Sequence, residues 1–108
     1  MPFFRVRETP YTLKRAGVRI KAFSGERIQM TIVRLEPDFT SSHQHPQEQS
    51  GYVLAGEIEL TIGPDQSRCG PGDGYLIPAD TPHSLRVASE RPAELLEVFS
   101  PPKEENKL

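Results

Sequence analysis

Proline and glycine punctuate this chain so often that they limit what it can fold into. Its 108 residues include 11 prolines and 8 glycines, spread along the whole length. Proline lacks the backbone N–H that a helix needs and its ring clashes with the preceding turn, while glycine is costly inside a helix. A helix of useful length therefore has little room, and the composition predicts short strands joined by turns.

Apolar residues alternate with their neighbours between these breaks. In residues 57–62, EIELTI, isoleucine and leucine alternate with glutamate and threonine, and in residues 28–33 the residues Ile28, Met30 and Ile32 alternate with theirs. A period of two with β-branched residues is typical of half-buried antiparallel strands. The predicted strands lie near residues 3–6, 17–23, 26–36, 43–45, 50–55, 57–63, 66–69, 74–78, 83–88 and 93–99.

Turn-forming residues separate the predicted strands. A turn is expected at Ala55-Gly56, another at residues 63–65, and a tight one over residues 70–74, where glycines reach positive φ cheaply and Asp73 serves the turn. Many short, evenly spaced strands are typical of a β-sandwich or barrel. The polar tail of residues 100–108 is expected to fray beyond its first few residues.

Length, charge and cysteine content exclude several classes of protein. A chain of 108 residues fits one domain, residues 1–108, and its net charge of −2 argues against a nucleic-acid partner. The N-terminus lacks the apolar core of a signal peptide, and no apolar run approaches the ~20 residues of a membrane span. Cys69 is the single cysteine, expected in the core, and cannot form an internal disulfide, which fits a reducing, cytoplasmic setting.

Several polar residues have a functional interpretation and a plainer one. Tyr52 and Tyr75 can line a pocket, but a strand tyrosine more often packs with its hydroxyl in water. Arg34 and Arg86 can bind a carboxylate, but arginines are more often on the surface. Positive charge is enriched near the N-terminus, which we interpret as a solvated edge. These basic residues are Arg5, Arg7, Lys14, Arg15, Arg19 and Lys21.

The three histidines of the chain are His43, His45 and His83. On a strand, residues i and i+2 point to the same side, so His43 and His45 can project together into a barrel. Neutral imidazoles are good ligands for transition metals such as zinc, iron and nickel. An isolated pair of this kind is more often a chance feature of a loop, so the surrounding pattern decides the interpretation.

That pattern resembles the two sequence motifs of the cupin superfamily. The first is present as His43-Gln44-His45, then Gln49 after three residues and Gly56 after six more. The second is present as Gly72, then residues 78–80, then His83. Three positions depart from the motifs: no glycine opens the first motif near Pro37-Asp38, Asp80 replaces a glycine, and Val87 replaces an asparagine. Asp80 is a mild change because aspartate tolerates the left-handed conformation.

The resemblance implies an all-β fold, the double-stranded β-helix or jelly-roll barrel. It also implies one bound divalent transition metal, namely nickel, zinc, manganese or iron, held by His43, His45, Gln49 and His83. Strand parity supports Gln49 weakly, since it shares a face with the histidines and Glu48 does not. Glu48 as the ligand, and a degenerate site that binds no metal, remain alternatives. With Gln49 the ligands are all neutral, so the ion keeps its double charge and favours anionic partners.

A narrower resemblance lies in the segment LLEVFSPPKEE. It is similar to the end of small cupins associated with pectin degradation, where the segment typically reads D-V-F-S-P-P-R. Those proteins linearise 4,5-unsaturated monouronates, and the resemblance implies catalytic roles for Glu97, Phe99 and Lys103. Glutamate is one methylene longer than aspartate, and lysine lacks the bidentate fork of arginine. The residues themselves leave open whether Glu97 faces the barrel interior or the solvent.

The leading functional hypothesis is metal-assisted chemistry on a small anionic or sugar-like ligand, with Glu97 transferring protons and Lys103 pairing with a carboxylate. One alternative is a non-haem metal dioxygenase that acts on a small organic substrate. Another is a non-enzymatic module that binds metal or a small molecule. The family resemblance also implies a homodimer that pairs through a sheet face.

Overall fold

The computed structural model describes residues 2–107 of the chain, and within them ten strands follow one another. A short 3₁₀ turn at Glu104–Asn106 comes after the last strand. The strands are β1 Thr12–Arg15, β2 Val18–Ser24, β3 Gln29–Leu35, β4 Thr40–His43, β5 Glu48–Ala55, β6 Ile58–Ile62, β7 Asp65–Cys69, β8 Gly74–Ile77, β9 His83–Val87 and β10 Ala93–Ser100.

The strands form two antiparallel sheets that pack face to face. The larger sheet has the order β1-β2-β3-β10-β5-β8, and the smaller has the order β4-β9-β6-β7. One continuous apolar core joins them, with Val33 and Leu95 contributed by the larger sheet and Ile58, Leu60 and Val87 by the smaller. The all-β jelly-roll barrel expected from the sequence is confirmed. None of the helical structure found in residues 2–107 is long and apolar enough to cross a membrane.

The barrel interior changes from apolar to polar along the two central strands, β3 and β10. Leu95 pairs with Val33 and is 1% exposed, whereas two residues further on Glu97 pairs with Thr31, and both of these side chains are buried. Phe99 then pairs with Gln29, which is fully buried. One end of the barrel is therefore a conventional core, and the other end holds buried polar groups that need partners.

This polar end explains a difference from the sequence pattern of residues 28–33. The strand exists, but its inward face carries Gln29, Thr31 and Val33, while Met30 and Ile32 lie on the outer face. Ile28 is 57% exposed. Hydrophobicity alone assigns the wrong face here, because the interior at this level accommodates hydrogen-bonding side chains and the outer face is apolar.

Two predicted segments differ from the observed ones, and one observed strand has no predicted counterpart. Residues 3–6 form no strand; Phe3 is exposed, and the ring of Phe4 stacks on that of Phe23 with centroids 4.2 Å apart. The polar strand β1 was not predicted, since its four residues, TLKR, carry little alternation. The strand expected at residues 43–45 is β4, which ends at His43.

Positive backbone φ occurs at a glycine of the cupin motifs and at positions where another residue stands at or beside an expected motif glycine. Gly56 has a φ of 76°, and Asp80, predicted to tolerate the left-handed conformation, has a φ of 60°. Asp38, beside the missing first glycine of the motif, has a φ of 65°. Asp73 serves its turn as expected, because its carboxylate accepts a hydrogen bond of 2.8 Å from the N–H of Gly70.

Replacing Gly56 with alanine should destabilise the protein by about 2–4 kcal/mol, because strain at positive φ adds to a backbone clash. A Cβ at Gly56 would lie 2.7 Å from the Cα of Ala93 and 2.8 Å from the carbonyl oxygen of Pro92. Gly72 is the matched control: its φ is 93°, but a Cβ there meets nothing within 4 Å. Gly72→Ala should therefore cost only about 1 kcal/mol in urea unfolding. Equal losses in the two variants would contradict the clash.

The C-terminal tail does not fray as the sequence suggested. Lys103 and Asn106 are both buried, at 8% and 4% exposure. The amide of Gln29 holds the tail at Lys103: Gln29 Nε2 donates to the Lys103 carbonyl oxygen at 3.1 Å, and Gln29 Oε1 accepts from the Lys103 N–H at 3.3 Å. The buried amide thus finds its partners in the tail backbone, and the tail closes the polar end of the barrel.

Candidate metal centre and ligand pocket

The structure brings every site residue predicted from the sequence to one cavity of about 80 Å³ at the polar end of the barrel. The smaller sheet and the segment after β4 supply the histidines, and the larger sheet and the tail supply the rest. These residues are His43, His45, Gln49, His83, Glu97, Phe99 and Lys103. Their placement agrees with the predicted site, while their chemical roles stay predictions.

The histidines cluster because strand pairing places them side by side. His43 on β4 lies directly opposite His83 on β9, and their ring centroids are 5.9 Å apart. His45 follows the end of β4, and its ring centroid is 4.8 Å from that of His83. Directly paired residues project from the same face of a sheet, so the register alone accounts for the first pair.

Two of the imidazole rings have their tautomers set by backbone carbonyl groups. His45 Nδ1 lies 3.0 Å from the carbonyl oxygen of Gln47, and His83 Nδ1 lies 2.9 Å from that of Thr81. A carbonyl oxygen only accepts hydrogen bonds, so each Nδ1 carries the proton, and Nε2 of a neutral ring keeps its lone pair. Such carbonyl partners are typical of histidines that bind metal.

His43 and His45 favour their neutral form. Burial is the main cause that lowers the pKa of His43 to about 4, and the charges of Lys103 and Arg15 lower it further. Burial followed by Lys103 also lowers the pKa of His45. Neutral rings at physiological pH are what a metal ion requires of its ligands.

Gln49, rather than Glu48, faces the cavity. Gln49 is 5% exposed, and its Oε1 lies 3.1 Å from His45 Nε2. Glu48 is exposed, at the first position of β5. Oε1 and an unprotonated Nε2 are both acceptors, and neither can donate to the other. A cation near both atoms would satisfy the two lone pairs, so the donor set fits a metal ion.

The side chains as they stand do not yet enclose an ion. Among residues 2–107, no three His, Cys, Asp or Glu side chains are grouped closely enough to hold one. His43 Nε2 instead lies 3.5 Å from Nη2 of Arg15. Binding of an ion at this nitrogen therefore requires the guanidinium group of Arg15 to move away from it.

Glu97 faces the interior, which answers the question that its sequence left open. Its Oε2 accepts a hydrogen bond of 2.6 Å from Gln49 Nε2 and one of 2.8 Å from the Tyr75 hydroxyl. Burial raises the pKa of Glu97, while the bonds from Tyr75 and Gln49 and the charge of Lys103 oppose that rise. The result is a carboxyl group beside the histidines that can hold or release a proton.

Gly51 makes the bond between Tyr75 and Glu97 geometrically feasible. On β5 it lies directly opposite Glu97 on one side and Tyr75 on the other. The Tyr75 ring occupies the space that a Cβ at Gly51 would need. A ring can cross the strand only because this residue has no side chain. Sequence reasoning missed this role, because Tyr75 lies opposite Gly51 only through the pairing of β5 with β8.

The remaining predicted residues close the cavity. Lys103 Nζ lies 5.3 Å from the centroid of the Phe99 ring, and that ring is 6.0 Å from the ring of His45. Lys103 Nζ also pairs with Glu105 Oε1 at 2.9 Å. The positive charge of Lys103 is therefore paired with a carboxylate of the same chain.

Lys14 and Arg15 on β1 also line the cavity, although their sequence indicated a solvated edge. Four of the six basic residues are exposed as expected, but Lys21 is buried and Lys14 is partly buried. The two arginines weighed as carboxylate binders lie on the surface instead, where Arg34 pairs with Glu94 at 3.8 Å and Arg86 with Glu59 at 2.7 Å. Tyr52, also weighed as a pocket residue, is 45% exposed, and Cys69 is buried in the core as expected.

Comparisons with known proteins agree with the fold. KdgF from a Halomonas species has a TM-score of 0.88 at 24% identity, over 97% of both chains. Oxalate decarboxylase of Bacillus subtilis, a protein with Mn(II) centres, has a TM-score of 0.80 at 25% identity, over 96% of this chain and 30% of that one. Dimethylsulfoniopropionate lyase DddQ of Ruegeria pomeroyi is 44% identical over 46 residues, 42% of this chain.

That lyase match spans 23% of the lyase, so the chain corresponds to less than a quarter of its length. The family profile described as "Cupin domain" matches residues 31–99, which is more than half of the chain. The match includes both histidine motifs and ends at Phe99. The protein is therefore a member of the cupin family.

Proposed function

We propose that this cupin binds one divalent transition metal through His43, His45, Gln49 and His83 and acts on a small sugar acid. The observation that carries the proposal is the bonding of Gln49. Its Oε1 is directed at His45, and its Nε2 donates to Glu97 at 2.6 Å. One side chain thus joins the proposed ligand set to a buried carboxyl group that can exchange protons.

The proposed ion is nickel, zinc, manganese or iron, because imidazole nitrogen and amide oxygen suit all four. When bound, the ion supplies Lewis acidity that polarises an oxygen atom of the ligand. Neutral ligands leave the ion its full double charge, which favours an anionic ligand. The similarity to a decarboxylase with Mn(II) centres supports metal binding in general and leaves the element open.

We infer that the reaction is the linearisation of a 4,5-unsaturated uronate, the activity implied by the C-terminal segment. Linearisation is an isomerisation: the anomeric hydroxyl loses a proton, the bond from the anomeric carbon to the ring oxygen breaks, and the resulting enolate gains a proton on carbon. No oxidant or reductant is consumed. Glu97 is the group proposed to take and return the proton, with Tyr75 and Gln49 holding its carboxylate in place.

A direct assay follows the ultraviolet absorption of the unsaturated uronate, which disappears as the conjugated double bond is lost. Metal-loaded protein should remove the band without oxygen, and protein stripped by a chelator should not. Oxygen consumption with bound iron would favour the dioxygenase alternative. A band left untouched by protein loaded with each of the four metals would refute the proposed reaction.

A second candidate is lyase chemistry on a small zwitterionic carboxylate such as dimethylsulfoniopropionate. The 44% identity over 46 residues with a dimethylsulfoniopropionate lyase favours it. Glu97 would then remove a proton from the carbon beside the carboxylate, the bond between the next carbon and sulfur would break, and dimethyl sulfide would leave, with acrylate as the second product. Measured loss of dimethylsulfoniopropionate, compared with loss of the uronate at equal metal loading, separates the two reactions.

A pair of substitutions tests which neighbour binds the metal. Gln49→Leu should lower metal affinity by about 10- to 100-fold, because it removes an oxygen donor from the cavity. Glu48→Gln should leave affinity unchanged, since Glu48 is exposed. Isothermal titration calorimetry with the metal measures the metal affinity of both variants. The opposite ranking would transfer the ligand role to Glu48.

We also propose that the protein pairs into a homodimer through the outer face of the larger sheet. That face carries Leu76 and Leu54, at 73% and 43% exposure, beside Ile32 and Leu96. Burial of such a face against its own copy removes apolar area from water on both chains. Light scattering should give twice the chain mass, and Leu76→Asp should shift the population toward monomer. A wild type that stays monomeric at high concentration would contradict the pairing.

A further inference from the structure

The strand β1 contains a β-bulge that places two adjacent basic residues on the cavity. Leu13 pairs with Arg19 and Arg15 pairs with Val18, so Lys14 is the extra residue between the two pairs. In a regular strand, neighbouring residues point to opposite faces. Here both Lys14 and Arg15 line the cavity that holds the histidines. Bulges commonly re-aim side chains in this way beside functional sites.

The basic residues meet a third cation from the tail, and one carboxylate lies between them. Lys103 Nζ lies 2.9 Å from Glu105 Oε1, and Lys14 Nζ lies 3.7 Å from Glu105 Oε2. Lys14 also donates a hydrogen bond to the side chain of Asn106. Both lysine side chains are mostly buried, at 14% and 10% exposure, whereas that of Glu105 is 54% exposed. Two largely enclosed cations therefore share a carboxylate that remains half in solvent.

Arg15 differs from the lysines in its contact. Its guanidinium lies against His43, with Nη2 3.5 Å from Nε2. Arg15 is exposed at the rim of the cavity, so its guanidinium group can rotate without creating a void in the core. An arginine offers a carboxylate two parallel hydrogen bonds, which a lysine cannot.

We propose that Lys14 and Arg15, with Lys103, form an anion subsite that binds the carboxylate of the ligand, and that Glu105 is the internal carboxylate the ligand displaces. This inference rests on the proposed function, since it assigns the part of the site that selects a sugar acid over a neutral sugar. The three positive charges exceed the acidic groups around them, which are Glu105 at the solvent side and Glu97 within the cavity, so a ligand carboxylate adds an anion that the cluster can pair with. Rotation of Arg15 toward the ligand would also free His43 Nε2.

Galacturonate and its neutral methyl ester are suitable probes, because neither carries the 4,5-double bond that the proposed reaction consumes. Titration calorimetry of the metal-loaded protein should show tighter binding of galacturonate than of the ester. Arg15→Gln should reduce galacturonate affinity by about 10- to 100-fold and leave ester affinity within about twofold. Glu105→Gln, which removes the internal competitor, should raise galacturonate affinity by about two- to fivefold.

Arg19→Gln is the matched control, since Arg19 is an exposed arginine on the neighbouring strand β2 and lines no part of the cavity. It removes the same charge and should bind both probes like the wild type. Thermal unfolding and metal content, measured for each variant, show that the fold and the metal are retained.

The results separate this subsite from the proposed reaction. If the wild type linearises the uronate while Arg15→Gln and Lys14→Gln match its KM and its galacturonate affinity, the subsite is refuted and the function stands. If the wild type binds galacturonate in preference to the ester, loses that preference in Arg15→Gln and still leaves the uronate intact, the subsite stands and the proposed reaction is refuted. A wild type that binds both probes equally refutes the subsite.

Discussion

Replacing His83 with alanine should reduce metal affinity by at least about a hundredfold and remove uronate linearisation. Substitution of groups that only hydrogen-bond to metal ligands already lowers metal affinity by about 10- to 100-fold. His83 lies at the centre of the cluster, opposite His43 and 4.8 Å from His45 between ring centroids. Its Nδ1 is committed to the Thr81 carbonyl oxygen, so only Nε2 is free for an ion. Elemental analysis of dialysed protein and the ultraviolet assay measure the two losses.

Ser84→Ala controls for the substitution itself. Ser84 is the next residue of β9 and lines no part of the cavity. This variant should keep the metal content and the rate of the wild type. His83→Ala protein that retains one ion per chain would show that the three histidines are not the ligands. It would favour a metal site elsewhere in the chain, whereas a wild type without bound metal would favour the degenerate, metal-free alternative.

Replacing Glu97 with glutamine should slow linearisation by about 10²- to 10⁴-fold while leaving metal content unchanged, because general acid–base catalysis contributes on that scale. Glutamine has the size and shape of glutamate but cannot exchange a proton at neutral pH. Glu94→Gln is a suitable control, since Glu94 lies on the outer face of the same strand and pairs with Arg34. Stopped reactions analysed for the open-chain product measure the rates. Equal rates for Glu97→Gln and the wild type would remove Glu97 from the mechanism.

The same substitution should stabilise the metal-free protein at neutral pH. Burial raises the pKa of Glu97 above its ordinary value of 4.5. An acid with a raised folded-state pKa stabilises the fold in its protonated form, and that contribution is lost as the pH rises above the unfolded value. The free energy of unfolding of Glu97→Gln should therefore exceed that of the wild type by an amount that grows as the pH rises above the ordinary value of 4.5. Urea unfolding of chelator-treated protein measures it, and a gap that shrinks with pH would contradict the burial effect.

Much of the fold could be predicted from the sequence, because local patterns carry it. The spacing of proline and glycine excluded helices, and the alternation in residues 57–62 identified β6 with its correct inward face. The pattern failed for β3, where Gln29 and Thr31 are inside and Met30 is outside. Alternation identifies a strand but does not tell which face is buried when the interior is polar.

The candidate site could be predicted where it lies in a contiguous motif and not where it depends on pairing. The spacing of the cupin-like motifs indicated His43, His45, Gln49 and His83. The resemblance of the C-terminal segment indicated Glu97, but it left open whether that side chain faces the barrel interior or the solvent. Gly51 and the contact of Tyr75 with Glu97 depend on which strands are neighbours, since β5 lies between β10 and β8. No short-range pattern encodes that order.

The basic residues of β1 show the same limit. Their charge is visible in the sequence, but their direction depends on a bulge at Lys14 and on pairing with β2. The tail is similar, because its polar composition predicts fraying until Gln29, more than 70 residues earlier, is seen to bond with Lys103.

The sequence by itself determined the all-β class and the cupin resemblance, and it nominated the residues proposed to bind a metal, because these follow from residue type, local spacing and the match to the cupin motifs. Only the tertiary structure decided that Glu97 faces inward, that Gln49 joins it to His45, and that Lys14, Arg15 and Lys103 meet at one cavity. The physical reason is that strand register and sheet order bring together side chains that are distant along the chain. Hydrogen bonds and charges act over a few ångströms of space, whatever the separation in sequence.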